Sequence, residues 1–285
     1  MEESVELYKK YRPRFFKQIV GQDDAVSILS EMVREQRVPH TILFTGPSGC
    51  GKTTLARILK TKLNCSDTDY KEVDCAAIDK ALDTVREVQN RMNLLPSNGD
   101  CRIWFWEEIQ SFSRTPMAQQ ALLRMLETTP KRTYFFLATT DPSKLHKAIH
   151  TRCTEIKLKL MATADCEKLL SVVCRKEKIE ITDEVTQKLI ESADGSARKL
   201  LVNLHQIVGL AEEKQINILQ SESSKTMAFD ILKGLVWDRK MTWDKMAKLI
   251  SGYEEQDWEG VRHMVLKSAT KELLKGKSGS PSPRS

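Results

Sequence analysis

"TILFTGPSGCGKTTLARIL", residues 41–59, decides the fold of this chain. Its first five residues form an apolar run that is followed at once by turn residues, which is typical of a buried strand. The segment Gly46–Thr53 then fits the pattern G-x-x-x-x-G-K-[ST]. A helical pattern continues over Thr53–Leu63. A strand, this loop and a helix in that order predict a phosphate-binding P-loop rather than a chance glycine-rich turn.

The residue types of this loop suit a nucleoside triphosphate and Mg²⁺. Glycines let the backbone curl so that successive N–H groups point at phosphate oxygens. Lys52 is predicted to reach the outer phosphates, and the Thr53 hydroxyl is predicted to bind Mg²⁺. ATP and Mg²⁺ are therefore the expected ligands. The predicted ATP-binding residues of this stretch are Gly46, Pro47, Ser48, Gly49, Cys50, Gly51, Lys52, Thr53 and Thr54.

Two carboxylates end the next strongly apolar run, Arg102–Trp106. A P-loop site needs an acid on a neighbouring strand to hold the metal and, for hydrolysis, a second acid to polarise water. Glu107 is predicted to lie just outside the ligands of Mg²⁺, and Glu108 is predicted to orient the attacking water. The alternative is that both are exposed carboxylates at a strand end.

Further candidates follow a third apolar run, Thr133–Thr139. It ends in Thr139-Thr140-Asp141, where a hydroxyl can hydrogen-bond the γ-phosphate or its attacking water, although in isolation these residues would form an ordinary turn. Arg152 and Arg198 each come after a short turn, and a guanidinium near a γ-phosphate stabilises developing charge. For either arginine alone, a surface salt bridge is the competing interpretation.

Strands alternate with helical patterns in the first half of the chain, which predicts an α/β domain with a parallel sheet. After Leu160 the strand signals stop, and helices are predicted at Ala164–Lys176, Asp183–Ala193 and Ser196–Ala211. We therefore predict a P-loop domain over 1–160 and an all-α lid over 161–220. A short helical segment over 221–274 and a disordered tail over 275–285 complete the predicted organisation.

Composition excludes several classes of protein. No apolar run approaches the roughly 18 residues of a membrane span, and the N-terminus lacks the apolar core of a secretory signal, so we predict a cytoplasmic protein without a membrane partner. The seven cysteines form no C-x-x-C pair, which argues against a zinc site and a disulfide framework. The net charge of +6 permits contact with polyanions without establishing it.

The order of these motifs resembles that of AAA+ clamp-loader ATPase subunits, the bacterial gamma/tau and replication factor C small-subunit families. The resemblance covers approximately residues 5–212 and is specific because many motifs share one order. The motifs that carry it are Lys10-Tyr11-Arg12-Pro13, Val20-Gly21-Gln22, the P-loop, Glu107-Glu108, Leu137-Ala138-Thr139-Thr140-Asp141-Pro142, Thr151-Arg152-Cys153 and Gly195-Ser196-Ala197-Arg198.

The resemblance implies roles for residues that spacing alone leaves open. Thr140 resembles the residue called sensor 1, and Arg198 resembles sensor 2. Arg152 resembles an arginine finger that acts on ATP held by a neighbouring subunit, which would place each active site at a subunit interface. The residues similar to the segment that encloses adenine are Tyr11, Arg12, Pro13 and Val20.

The resemblance also implies partners: primer–template DNA, a sliding clamp and companion subunits in a hetero-oligomer, a pentamer in the family, associated with the nucleoid and replisome. Arg86 and Arg114 are the candidate DNA contacts, although each can equally be a solvated surface charge. Gln119 or Gln120 resembles a glutamine that couples DNA contact to the ATP site. The candidate clamp contacts, which can instead fill the core, are Met92, Leu94 and Leu95.

Three departures from the family pattern are visible. Glu107 stands where the family has aspartate, the four-cysteine zinc module after Cys65 is missing so that no structural zinc is expected, and the segment after Ser221 is shorter than the family's collar domain. We predict an ATPase that opens a clamp and places it on primer–template DNA. The alternative is an ATP-binding scaffold subunit that donates Arg152 without hydrolysis. A Holliday-junction translocase fits the motifs around Thr140 and Arg152 less well.

Overall fold

The computed structural model describes residues 6–219 and, beyond them, residues 231, 242, 244–247, 262 and 265–266. Apart from those few positions, the predicted helical segment over 221–274 and the predicted disordered tail over 275–285 lie outside the described residues. In the part of the chain that is described, none of the helices combines the length and the apolarity that a bilayer span requires.

A five-stranded parallel sheet organises the first part of the chain, with the strand order β2-β3-β4-β1-β5. The strands are β1 (Thr41–Thr45), β2 (Tyr70–Asp74), β3 (Arg102–Glu107), β4 (Thr133–Thr139) and β5 (Thr154–Lys157). The P-loop strand β1 lies between β4 and β5, where Thr45 is in register with Thr139 and Lys157. The predicted α/β fold with a parallel sheet is confirmed.

Helices connect these strands and continue after the last one. The α-helices that we number are α1 (Leu7–Lys10), α2 (Asp23–Arg34), α3 (Lys52–Lys62), α4 (Ala81–Arg91), α5 (Pro116–Glu127), α6 (Lys147–Arg152), α7 (Thr163–Glu177), α8 (Asp183–Ala193) and α9 (Ala197–Ile207), and residues 212–219 are helical as well. Short 3₁₀ segments are Phe16–Gln18, Ile109–Arg114 and Pro142–Lys144.

The sheet has a separate apolar cluster on each face. Ile42 and Phe44 of β1 belong to the cluster that contains Leu55 of α3. Leu43, between them in sequence, belongs to the other cluster, together with Leu122 of α5. Alternate residues of a strand point to opposite faces, so a strand covered by helices on both faces reads as a continuous apolar run. This is why β1, β3 and β4 are predictable from the sequence.

The two edge strands are not predicted because burial does not mark them in the sequence. In β2, Tyr70 and Val73 are half-buried and the other three residues are exposed. In β5 only Ile156 is buried. An edge strand with polar faces lacks the apolar run or alternation by which a strand is recognised.

The described chain packs as two compact units. The first combines the sheet region through Glu177 with residues 195–202, and the second combines Lys178–Asp194 with the chain from Asn203 onward. In the second unit, Thr182 caps α8 by accepting from the Val185 amide at 3.4 Å, and Asn203 donates to the Ser192 hydroxyl at 2.8 Å. The domain boundaries at 160, 220 and 274 stay predictions.

Candidate nucleotide-binding site

The P-loop connects β1 to α3 with a backbone that only glycine adopts readily at several positions. Gly46, Gly49 and Gly51 have φ values of 147°, 76° and 111°. A Cβ atom at Gly49 would overlap the Ser196 hydroxyl, and one at Gly46 would overlap the Leu158 carbonyl oxygen. These glycines therefore permit both the curled loop and the close approach of the Ser196 turn, in agreement with the sequence pattern.

Lys52 begins α3 and is only 8% exposed. Its ammonium donates hydrogen bonds to the carbonyl oxygens of Gly46 and Pro47 at 2.6 and 2.7 Å. Burial lowers the pKa of Lys52, while the nearby carboxylates of Glu108 and Glu107 act in the opposite direction. The loop's own carbonyls thus hold a largely desolvated cation at its base, where a phosphate group would be a stronger partner.

Oxygen donors gather at the start of α3 and at the ends of two neighbouring strands. The Thr53 hydroxyl donates to Oε1 of Glu107. Asp74, the last residue of β2, is in register with Glu107 and also lines the cleft. A hydroxyl and two carboxylates are the hard oxygen donors that Mg²⁺ prefers. These residues therefore fit a magnesium site, and sequence reasoning missed Asp74 because it ends an edge strand without a pattern.

The Glu108 carboxylate accepts hydrogen bonds from side chains at the end of β4 and in the turn after β3. Its Oε2 accepts from the Thr140 hydroxyl at 2.9 Å and from the Gln110 side-chain amide. The Gln110 oxygen in turn accepts from the Thr139 hydroxyl at 2.6 Å. Glu108 has φ +52°, a left-handed conformation that is uncommon for residues other than glycine. Thr140 is thus brought to Glu108 as a partner, and Gln110 is a functional candidate that the sequence analysis missed.

An N-terminal segment closes the other side of the cleft, whose volume is about 320 Å³. Tyr11 donates its hydroxyl to Glu177, and burial together with this carboxylate raises the pKa of Tyr11 to about 12. Gln22 donates to the carbonyl oxygens of Lys159 at 2.5 Å and of Cys50 at 3.3 Å, which ties this segment to the P-loop. The segment residues that line the cleft are Tyr8, Tyr11, Arg12, Pro13, Gln18, Ile19, Val20 and Gln22.

Arg198 and Arg152 occupy different surroundings. Arg198, in the first turn of α9, lines the cleft with its guanidinium 6.0 Å from the centre of the Tyr8 ring. Arg152, the last residue of α6, lies outside the set of residues that line the cleft. Its Nε donates to Glu127 at 2.8 Å and its Nη1 to the Ala148 carbonyl oxygen at 3.1 Å. The structure therefore brings Arg198, but not Arg152, to this chain's own cleft.

The residues proposed for DNA contact lie apart from the cleft. Arg86 on α4 and Arg114 just before α5 are both exposed. Gln119 is buried and accepts from the His146 amide at 3.1 Å, whereas Gln120 is exposed. These positions permit the expected roles of the two arginines and leave them predictions.

The three candidate clamp contacts divide between core and surface. Met92 is only 4% exposed and packs in an apolar cluster, so it is not available as a surface contact. Leu94 and Leu95 are 58% and 74% exposed. Arg102, paired with the buried Asp69, donates to the Leu94 and Leu95 carbonyl oxygens at 3.4 and 3.1 Å, which fixes the loop that presents them.

Comparison with known proteins assigns this cleft to a family. Residues 42–160 match the family described as "ATPase family associated with various cellular activities (AAA)". These residues belong to the AAA ATPase family. The matched residues contain the P-loop, both carboxylates and the Thr140 turn, which are the parts of the AAA cleft described above.

Curated relatives of this chain are subunits of bacterial DNA polymerase III. The gamma/tau subunit of Mycobacterium tuberculosis is 30% identical over 233 residues, which is 74% of this chain and 40% of the relative. The tau subunit of Escherichia coli is 31% identical over 216 residues, or 68% of this chain and 33% of the relative. The gamma subunit of Buchnera aphidicola is 30% identical, covering 72% of this chain and 62% of the relative. The resemblance to clamp-loader AAA+ subunits is confirmed, while the chain spans less than two thirds of each of these relatives.

Solved structures show the same fold. The Thermotoga maritima RuvB Holliday junction branch migration motor gives a TM-score of 0.56 at 16% identity, covering 95% of this chain and 82% of that one. A single-substitution variant of the same protein gives a TM-score of 0.61 at 15% identity over 85% of each chain. At this identity the likeness establishes the AAA+ fold alone.

Proposed function

We propose that this AAA ATPase is an ATP-hydrolysing subunit of a sliding-clamp loader that uses ATP to open a clamp and place it on primer–template DNA. One observation carries the proposal. A single cleft contains a P-loop lysine, a Thr53–Glu107 pair suited to Mg²⁺, and a Glu108 held by Thr140 and Gln110. The DNA polymerase III relatives supply the context of clamp loading.

Binding is the first task of the cleft. The curled backbone of the P-loop offers N–H groups to the phosphates, and Lys52 exchanges its two carbonyl partners for phosphate oxygens. The aromatic and apolar side chains of the N-terminal segment, Tyr11 and Val20 among them, enclose the base. Mg²⁺, when bound, neutralises phosphate charge, and Thr53 with Glu107 and Asp74 behind it would hold the ion.

Hydrolysis is the task of Glu108. Its carboxylate orients a water molecule for attack on the γ-phosphorus and accepts the proton that the water loses as the bond to the leaving ADP breaks. Gln110 and Thr140 fix that carboxylate through the hydrogen bonds already described. Arg198 contributes positive charge from within the same chain.

Arg152 is proposed to act on a neighbouring subunit. It lies outside its own cleft, and with its ion pair to Glu127 its side chain is 34% exposed. An arginine placed this way can complete a cleft only across an interface with a neighbouring subunit. By family resemblance we propose companion subunits in a hetero-oligomer of five. Arg86 and Arg114 are the proposed contacts with primer–template DNA, and Leu94 and Leu95 with the clamp. We also propose that the protein acts in the cytoplasm, in association with the replisome.

A second candidate function is favoured by Glu107. Its side chain is one methylene longer than aspartate and engages the Thr53 hydroxyl directly, which is the group expected to bind the metal. If this contact persists with nucleotide bound, the subunit binds ATP as a scaffold and donates Arg152 without hydrolysing its own nucleotide.

The test is ATP turnover in the assembled complex with and without clamp and primed DNA, using wild-type chain and Arg152→Ala. Turnover stimulated by both ligands and lost in Arg152→Ala supports the clamp-loading ATPase with shared sites. Lys147→Ala removes an exposed cation from the same helix α6 and serves as the matched control. Tight ATP binding without turnover identifies the scaffold, and turnover indifferent to clamp and DNA contradicts clamp loading.

A further inference from the structure

A second concave surface lies beside the nucleotide cleft. It is a groove of about 730 Å³ lined by Lys9, Arg12, Arg14, Phe15 and Arg57, among others. Arg12 also lines the nucleotide cleft and so stands in the wall between the two. Arg14 and Phe15 line the groove and are not among the residues that line the cleft. We call this surface the outer groove.

The outer groove carries positive charge that the protein does not neutralise. Arg57 is paired with Glu72 through two hydrogen bonds of 2.7 and 2.8 Å, and Lys9 is paired with Glu6 at 2.6 Å. Among the residues that the structure describes, no carboxylate lies within ion-pair distance of Arg12 or Arg14.

Other cations lie near Arg12. Burial lowers the pKa of Arg12 and repulsion from Arg57 and Arg198 lowers it further, while attraction to Glu72 acts in the opposite direction. Guanidinium groups held close together in this way favour an anion that can bridge them.

An aromatic ring stands next to these cations. Phe15 is 47% exposed, whereas the adjacent Phe16 is buried in the core and fixes the chain at this point. The Arg14 amide donates to the Gln18 side-chain oxygen at 2.8 Å, across the 3₁₀ turn Phe16–Gln18. The backbone that presents Arg14 and Phe15 is therefore held in place from both sides.

We propose that the outer groove binds single-stranded nucleic acid, with backbone phosphates on Arg12 and Arg14 and one base stacked on Phe15. Exposed aromatic rings among cations suit a single strand because its unpaired bases offer their faces for stacking. In a duplex the base faces are already stacked on one another and cannot stack on Phe15. A free phosphate has no base that could stack on the ring. The volume of the groove falls in the range of sites that accept nucleotide-sized groups. This site is separate from the proposed duplex contacts at Arg86 and Arg114 and does not depend on ATP hydrolysis.

The test is fluorescence anisotropy of a labelled fifteen-residue oligothymidylate with the full chain at several salt concentrations. We expect Phe15→Ala and Arg14→Ala to weaken binding at least about fivefold each, and Phe15→Tyr to preserve it. Arg14→Ala should also lower the slope of log affinity against log salt by about 0.7, the value for one phosphate of a single strand. The matched control Arg37→Ala removes a 61% exposed arginine elsewhere and should bind like wild type.

Binding of a fluorescent ATP analogue and competition by a duplex separate the possible results. All variants should bind the ATP analogue like wild type, since Arg14 and Phe15 do not line the nucleotide cleft. Failure of the wild-type chain to bind the oligonucleotide overturns the proposal. So does unchanged binding in Phe15→Ala, because cations alone attract any polyanion, and so does equal competition by a duplex of the same length. None of these results bears on ATP turnover, which tests the proposed function.

Discussion

Glu107 and Glu108 are neighbours in the chain, yet they belong to two different regions of the cleft. Glu107, the last residue of β3, accepts from Thr53 on the side of the P-loop. Glu108 has left the strand with φ +52° and accepts from Thr140 on the side of β4. One residue of left-handed backbone thus separates the side proposed to hold the metal, called the metal side, from the side proposed to position water, called the water side. Adjacent, chemically identical side chains thus gain different partners from the backbone that carries them.

Removing the group shared by both sides should have the largest effect on nucleotide binding. Lys52→Ala deletes the buried ammonium at the base of the loop, and we expect ATP affinity to fall about a hundredfold, or about 3 kcal/mol, the upper end for a charge-assisted hydrogen bond. Isothermal titration calorimetry measures this. Lys62→Ala, an exposed lysine at the end of the same helix, is the control and should bind normally. Undiminished affinity in Lys52→Ala would show that the loop does not bind phosphate.

The metal side can be weakened alone. Thr53→Ala removes the hydroxyl that contacts Glu107, so we expect the Mg²⁺ concentration for half-maximal turnover to rise about tenfold, the loss of one good oxygen ligand. A magnesium titration of ATP turnover measures it, with Thr61→Ala, an exposed threonine on the same helix, as the control. An unchanged magnesium requirement would contradict the division into two sides.

The water side can be weakened without touching a carboxylate. Gln110→Ala removes one charge-assisted hydrogen bond to Glu108, and we expect kcat to fall about tenfold while the magnesium requirement stays the same. Because Gln110 acts through Glu108, Gln110→Asn, which keeps a side-chain amide able to donate to the Glu108 carboxylate, should retain a higher kcat than Gln110→Ala. Gln187→Ala, an exposed glutamine on α8 to which no role is assigned, is the control. A changed magnesium requirement with an unchanged kcat would show that Gln110 supports the metal side instead.

The loop that both sides share should affect the stability of the fold. Gly49 and Gly209 both have positive φ, but a Cβ at Gly49 meets Ser196, whereas among the described residues no heavy atom lies within 4 Å of a Cβ at Gly209. Gly49→Ala should therefore cost about 1–3 kcal/mol of unfolding free energy, and Gly209→Ala about 1 kcal/mol. Thermal denaturation of both variants measures the difference. Equal destabilisation would mean that the Ser196 turn moves aside for the added methyl group at no cost in free energy.

How much the sequence predicts depends on burial and on local pattern. The limits predicted for the central strands β1 and β4 agree with the structure because helices cover both faces, and Glu107 and Glu108 are recognisable because they end such a strand. Asp74 is not recognisable from the sequence because β2 is an edge strand with exposed residues.

Long-range contacts account for the remaining gaps. Gln110 is not identifiable from the sequence because its tie to Thr139 spans 29 residues and depends on the left-handed turn at Glu108. Met92 is a wrong candidate for a surface contact because spacing alone does not distinguish it from Leu94 and Leu95, which the Arg102 guanidinium holds at the surface.

We propose that Glu108 acts on water while Glu107 acts on the metal side. Glu108→Gln and Glu107→Gln can be compared in one assembled complex by recording ATP affinity, magnesium requirement and kcat. Glu108→Gln should keep ATP affinity and magnesium requirement and lose about 10²–10⁴ in kcat, the range for a general base. Glu107→Gln should instead raise the magnesium requirement. Near wild-type turnover in Glu108→Gln would show that Glu108 is not the general base.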